Sequence, residues 1–147
     1  KHNPVNYYLA SKSYFLQGNY EKSIDFSLEA SSKGLNTSDN FSILGISYLK
    51  LNKLELSYAS FFKALNLEPN SSITNFNYAL INEVLNYNIL AAEHYYLSGL
   101  VSIEEENYIR IYKSLESLKR LSVKNTKIYE IFIKLNNKIL IFLNNRN

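Results

Sequence analysis

A chain of 147 residues that is 46% hydrophobic and 14% aromatic carries enough apolar surface for a packed core and is no disordered segment. It has no cysteine, which excludes disulfides and thiolate metal sites, and its 4 glycines and 2 prolines supply few of the turn signals a sheet protein needs. The net charge of +3 hides an asymmetry, since residues 106–147 hold 9 Lys/Arg against 3 Asp/Glu while residues 1–105 are net acidic. No apolar run reaches the roughly 18 residues of a membrane span. The longest candidate, 128–143, is interrupted by Lys134, Asn136, Asn137 and Lys138. The chain has no Met and opens on Lys1-His2-Asn3-Pro4, as expected of an excised domain or a processed chain, from which any signal peptide or lipid anchor would have been removed. The compartment stays open between cytoplasm and periplasm or cell envelope. The weight of Asn, Lys, Ile, Tyr and Phe, with only a few Arg, points to an AT-rich genome.

In chain order, Asn3-Pro4 reads as a cap followed by a first-turn proline and predicts a helix over about 4–17. Gly18-Asn19 breaks it, and a second helix is predicted over about 20–33, ended by Gly34. Thr37-Ser38-Asp39 can cap a third. On that helix Phe41, Leu44 and Tyr48 share one face, and after a polar break at Asn52-Lys53, Phe61, Ala64 and Leu65 share the face of a fourth that ends at Glu68-Pro69. Ser102-Ile103-Glu104-Glu105 has the form of a capping box, which predicts a helix starting near Ile103 and carrying Tyr108, Ile111, Tyr112, Leu115 and Leu118 on one stripe. Ser122 to Thr126 interrupts it, and a last helix is predicted over about 125–144.

Phe41, Leu44, Gly45, Tyr48, Ser57, Phe61, Ala64 and Pro69 resemble the signature of a tetratricopeptide repeat (TPR), with Phe41 where the family has Trp and Ser57 where it has Ala. Steps of 34 residues from this unit give three columns, Ser11/Gly45/Ala79, Ser23/Ser57/Ala91 and Ala30/Ala64/Ser98, in which all nine residues are small. Leu35 and Ile103 depart from the closing proline, and Asn75 from the aromatic. The expected architecture is all-α, a right-handed TPR-like solenoid of stacked antiparallel helix pairs. It forms one domain over 1–147, with repeats at about 4–37, 38–71 and 72–105 and a degenerate fourth pair or cap over 103–144.

No catalytic chemistry is legible. His2 and His94 are far apart, so His94 reads as a surface or packing residue and no metal site is expected. Glu104-Glu105-Glu106 reads as charge at a helix N-terminus. There is no phosphate loop or nucleophile elbow, and no cofactor is expected. Nucleic acid is disfavoured because the aromatics fall on packing columns and Arg is scarce.

The resemblance implies a concave face lined by the first helix of each unit. The matching positions are Val5, Tyr8, Leu9, Lys12, Phe15 and Leu16; then Asp39, Ser42, Ile43, Ile46, Leu49 and Lys50; then Ile73, Phe76, Asn77, Leu80, Glu83 and Val84. The positions of the family's carboxylate clamp hold Tyr8, Lys12, Ile43, Ile73 and Asn77, which do not match it. An apolar groove is expected instead, lined by Tyr8, Leu9, Lys12, Phe15, Ile43, Ile46, Leu49, Phe76, Asn77, Leu80 and Val84. Such a groove suits an amphipathic helix or an extended apolar segment of another protein, and implies a non-enzymatic scaffold, for instance in a bacterial cell-envelope assembly. Two alternatives stand beside it: a homo-oligomeric or self-capped assembly module, and an RNA or anionic-surface binder using the basic C-terminal helices. On the last helix Ile128, Ile131, Phe132, Leu135, Ile139 and Phe142 form one apolar stripe, with Tyr129, Ile133, Leu140 and Ile141 outside it. One side is expected to pack on the preceding helix. The other, represented by Ile131, Leu135, Ile139 and Phe142, is expected to form a second apolar surface covered by the groove, a partner or a second copy.

Overall fold

The computed structural model describes residues 2–147 and contains eight helices and no strand among them. They are α1 (Pro4–Leu16), α2 (Tyr20–Ser32), α3 (Ser38–Lys50), α4 (Leu54–Leu67), α5 (Ser72–Val84), α6 (Asn88–Glu104), α7 (Tyr108–Ser122) and α8 (Thr126–Asn144). Six begin at a side-chain cap. Asn3, Asn19, Thr37, Ser71, Asn107 and Asn125 each accept a hydrogen bond from a backbone N–H in the first turn, satisfying one of the donors that a helix start leaves unpaired. The turns within the first three pairs place Gly18, Asn52 and Asn86 in the left-handed region, at φ of 77°, 57° and 64°. These positions are 34 residues apart, so the period is written in backbone geometry as well as in side-chain size. Gly and Asn are the residues that adopt this conformation at least cost.

One predicted helix start is corrected. Ser102 does not cap a helix beginning at Ile103; it lies in the last turns of α6, where its hydroxyl donates to the Ser98 carbonyl (2.7 Å). The break comes at Glu106, held at φ 54°, and Asn107 caps α7. The three glutamates therefore stand at the C-terminal end of α6, against the helix dipole, and not at an N-terminus. Two of them are compensated locally. The Ser72 hydroxyl donates to Glu105 Oε2 (2.7 Å), and Arg146 pairs with Glu106.

The chain divides into two compact units, Lys1–Pro69 and Asn70–Asn147. In the first, α2 packs on α1 and α3, and α3 on α4. Ile24, Phe41, Leu44, Tyr48 and Ala64 form its apolar cluster. The small columns lie where helices touch: the Ser11 hydroxyl donates to the Ser23 carbonyl (2.7 Å) and the Ser57 hydroxyl to the Gly45 carbonyl (2.8 Å). A polar seam runs beside them. The Ser47 hydroxyl bonds to Ser23 Oγ (3.0 Å), the Ser27 hydroxyl donates to Asn40 Oδ1 (2.7 Å), and the Asn40 amide donates to the Ser27 carbonyl (3.0 Å) and Ser31 Oγ (2.9 Å). With these partners Asn40 is fully buried at no unpaired cost.

In the second unit α6 packs on α5, α7 and α8. The core joins Ala79, Ala91, Ala92 and Tyr95 to Ile111, Leu118, Ile128, Leu135 and Ile139. Leu135 enters a notch at Gly99, where a Cβ would stand 2.6 Å from Leu135 Cδ2. This corrects the reading of the last helix. Leu135 and Ile139 are core, and Ile131 and Phe142 pack on that core half-buried, because α6 and α7 together cover the whole stripe. The apolar side chains of α8 left to solvent are Tyr129, Leu140, Ile141 and Leu143.

His94, on α6, is a packing residue. Its ring meets Tyr78 edge-on at 4.7 Å, and Nδ1 lies 2.9 Å from Asn75 Oδ1. The Asn75 amide donates to the Ser71 carbonyl, so its oxygen faces the ring and Nδ1 is the donor. Burial lowers the imidazole pKa, against a smaller opposing effect of Glu93. The unfolded chain then takes up the proton more readily, so His94 contributes stability above about pH 6.5 that is lost as pH falls through that value towards the folded pKa. Urea midpoints are expected to drop between about pH 7.5 and about pH 5, and His94→Gln is expected to flatten that drop. Equal slopes in the two proteins would refute the assignment.

Candidate interaction surface

The first-helix positions fall into two sets, one in each unit. On α1, Leu9 and Lys12 are exposed, as are Val5 and Leu16. Tyr8 is half-buried, and burial, together with the charge of Asp39 on α3, raises its phenol pKa. Phe15 turns towards Tyr20, with ring centroids 5.7 Å apart. On α3, Ile43, Ile46 and Leu49 are half-buried, and none belongs to the apolar cluster of the unit. Their partial exposure beside Leu9, which is 54% exposed, leaves an apolar face that the core does not use.

On α5, Leu80 is half-buried, and Ile73 and Val84 are exposed. Asn77, expected in a groove, is buried, and Phe76 leans on the core with its ring edge-on to Tyr95 at 5.1 Å. Phe76 and Glu83 are also the points at which α7 reaches across to α5. The Arg110 guanidinium lies over the Phe76 ring, 4.8 Å from its centroid. Arg120 donates to both carboxylate oxygens of Glu83, and the Tyr95 hydroxyl donates to Glu83 Oε2 at 2.8 Å. Burial first, and then Glu83, push the Tyr95 phenol pKa far up, so it remains a neutral donor. Sequence reasoning missed this cluster. It read the basic C-terminal charges only in bulk, although the spacing of Arg110, Lys113, Ser117 and Arg120 places them on one stripe of α7.

On the opposite flank of α6, Glu93, Tyr96, Leu97, Lys127, Ile131 and Lys134 line an open depression of about 360 Å³. Among the described residues no group of three or more His, Asp or Glu could hold a metal ion, and no helix is long and apolar enough to cross a membrane.

No protein-family model matches the chain, and no curated protein matches it in sequence. Solved structures do match in fold. A crystal structure of MamA superposes with a TM-score of 0.77 at 14% identity, covering 99% of this chain and 81% of that one. The first TPR domain of the human RPAP3 protein gives 0.62 at 15% identity, covering 97% of each chain. YrrB, a TPR protein with an unusual peptide-binding site, gives 0.55 at 19% identity over 88% of this chain and 74% of its own. With the eight helices, the 34-residue recurrence of left-handed turns and the buried small columns, these likenesses establish that the chain has the all-α tetratricopeptide-repeat fold.

Proposed function

We propose that this chain is a protein-interaction module that binds an apolar segment of another protein on the first-helix faces of its units. The observation that carries the reading is the row Val5, Leu9 and Leu16, with Ile43, Ile46 and Leu49 beside it on α3. These are large apolar side chains that solvate poorly and fill no core. A protein of similar fold, YrrB, has a peptide-binding site, which supports the class of function. The arrangement suits a segment whose large side chains seat between helices, the helix-in-groove or extended mode of recognition.

A library of random peptides displayed on phage tests this. Wild type is expected to enrich peptides with spaced Leu, Ile or Phe, while the double variant Ile46→Glu with Leu80→Glu, altered at one half-buried position outside the apolar cluster in each unit, keeps its helical circular dichroism and loses that enrichment. Absence of enrichment by wild type, or enrichment untouched in the double variant, would overturn the reading. Mass measurement of the free protein separates the alternative in which a second copy fills the face, for which a dimer broken by Ile46→Glu is the expected signature.

A further inference from the structure

Arg110 is a cation that no carboxylate meets directly among the described residues. It is half-buried, its Nε is buried with no hydrogen-bond partner, and it forms no ion pair among the described residues. An aromatic ring holds it in place of a carboxylate. Burial lowers its pKa, with the field of Glu105 opposing in part; Glu105 itself is engaged by Ser72. Lys113, one turn on along the same stripe, is exposed and likewise forms no ion pair. The stripe ends at Arg120, which is satisfied because it shares Glu83 with Tyr95. Alongside runs the apolar row of α5, Ile73, Leu80 and Val84. The two helices both pack on α6 and are bridged by long side chains, Arg110 on Phe76 and Arg120 on Glu83, which sets the apolar row of α5 near the basic stripe of α7.

We propose that these two faces of the second unit form a trough that selects acidic amphipathic segments, seating apolar side chains on Ile73, Leu80 and Val84 and placing carboxylates on Arg110 and Lys113. This rests on the reading of the chain as a protein-interaction module and adds the chemistry of the partner. A polyanion such as RNA fits less well, because the α5 wall is aliphatic and Glu83 stands within the trough. A guanidinium that has already lost part of its hydration gains more from a carboxylate than a solvated one does, and its fork is shaped to take both oxygens.

The probe is a synthetic amphipathic peptide with leucines on one face and glutamates along one flank of it, compared with the same peptide carrying glutamine at those positions. Both are titrated into the full chain by fluorescence anisotropy. The glutamate peptide is expected to bind at least about tenfold more tightly, with an advantage that shrinks as salt is raised. Arg110→Gln and, separately, Lys113→Gln are expected to remove most of that advantage and leave the glutamine peptide unaffected. Lys134→Gln on α8 serves as the charge control and is expected to change nothing. If Arg110→Gln alters the circular dichroism, Lys113→Gln, at an exposed position, decides. Equal binding of the two peptides would overturn the acidic selectivity while leaving the interaction reading standing. Binding of neither peptide, equal weakening by Lys134→Gln, or polyuridylate binding that depends on the same two residues would each overturn the proposal.

Discussion

A chain ending at Val123 is expected to lose the fold of its second unit, not only the 19 residues of α8. Ile128, Leu135 and Ile139 are core residues, and Leu135 fills the notch that Gly99 leaves on α6. Without them Ile111 and Leu118 on α7 and the α8-facing side of α6 are exposed together. Trimming one buried Leu or Ile to Ala costs about 2–5 kcal/mol, so losing three, about 6–15 kcal/mol, is as large as the roughly 5–15 kcal/mol by which a domain is stable. The expected observations are a fall in helical circular dichroism larger than the share of α8, an early melting transition and light scattering from the uncovered face. A shortened chain that remains monomeric and melts like the full one would show that α8 is dispensable.

Gly45→Ala is expected to destabilise the first unit by about 2 kcal/mol, although alanine is the better helix former by about 1 kcal/mol. The added methyl would stand 2.6 Å from Cδ1 and Cε1 of Phe61, and Phe61 is fully buried, so its ring has no space to swing into. The Ser57 hydroxyl bond to the Gly45 carbonyl belongs to the same close approach and would be stretched as the helices part. Urea melts of the single variant and of the double variant with Phe61→Leu check the mechanism: the smaller side chain is expected to restore part of the loss. An unchanged or raised midpoint in the single variant would mean that the helices have slack at this contact.

The repeat was readable because it is carried by sterics local to a helix pair. Gly45, Ser57 and Ala64 have to be small wherever two backbones approach, and a period of small residues survives substitution of the larger signature positions. Helix ends were readable where a polar cap stood alone, as at Asn3 and Thr37. They were misread at Ser102, where the pattern of a capping box was met by a helix that continued. There the serine bonds back to the turn before, and a left-handed Glu106, a residue type that offers no such signal, makes the break. The last helix was misjudged for a different reason. Its excess of apolar side chains was visible, but two covering helices in place of one is a tertiary fact, and only Gly99 on α6 hinted at the notch for Leu135. Arg110 was not legible because composition counts charges without saying which have been drawn out of water.

The polar seam of the first unit bears on how the two halves respond to temperature. Both units bury serine and asparagine side chains, but the second also buries Ile81, Ile111, Leu118, Ile128, Leu135 and Ile139, where the large aliphatic side chains buried in the first are Ile24 and Leu44. Exposing apolar surface raises the heat capacity of unfolding and exposing polar surface lowers it. The first unit should therefore have the flatter curve of stability against temperature. Its hydroxyl and amide bonds hold on cooling, while the second unit, which depends more on aliphatic burial, weakens. Within one chain of uniform fold, cold would loosen the half that carries Arg110 and spare the half with the smaller aliphatic core.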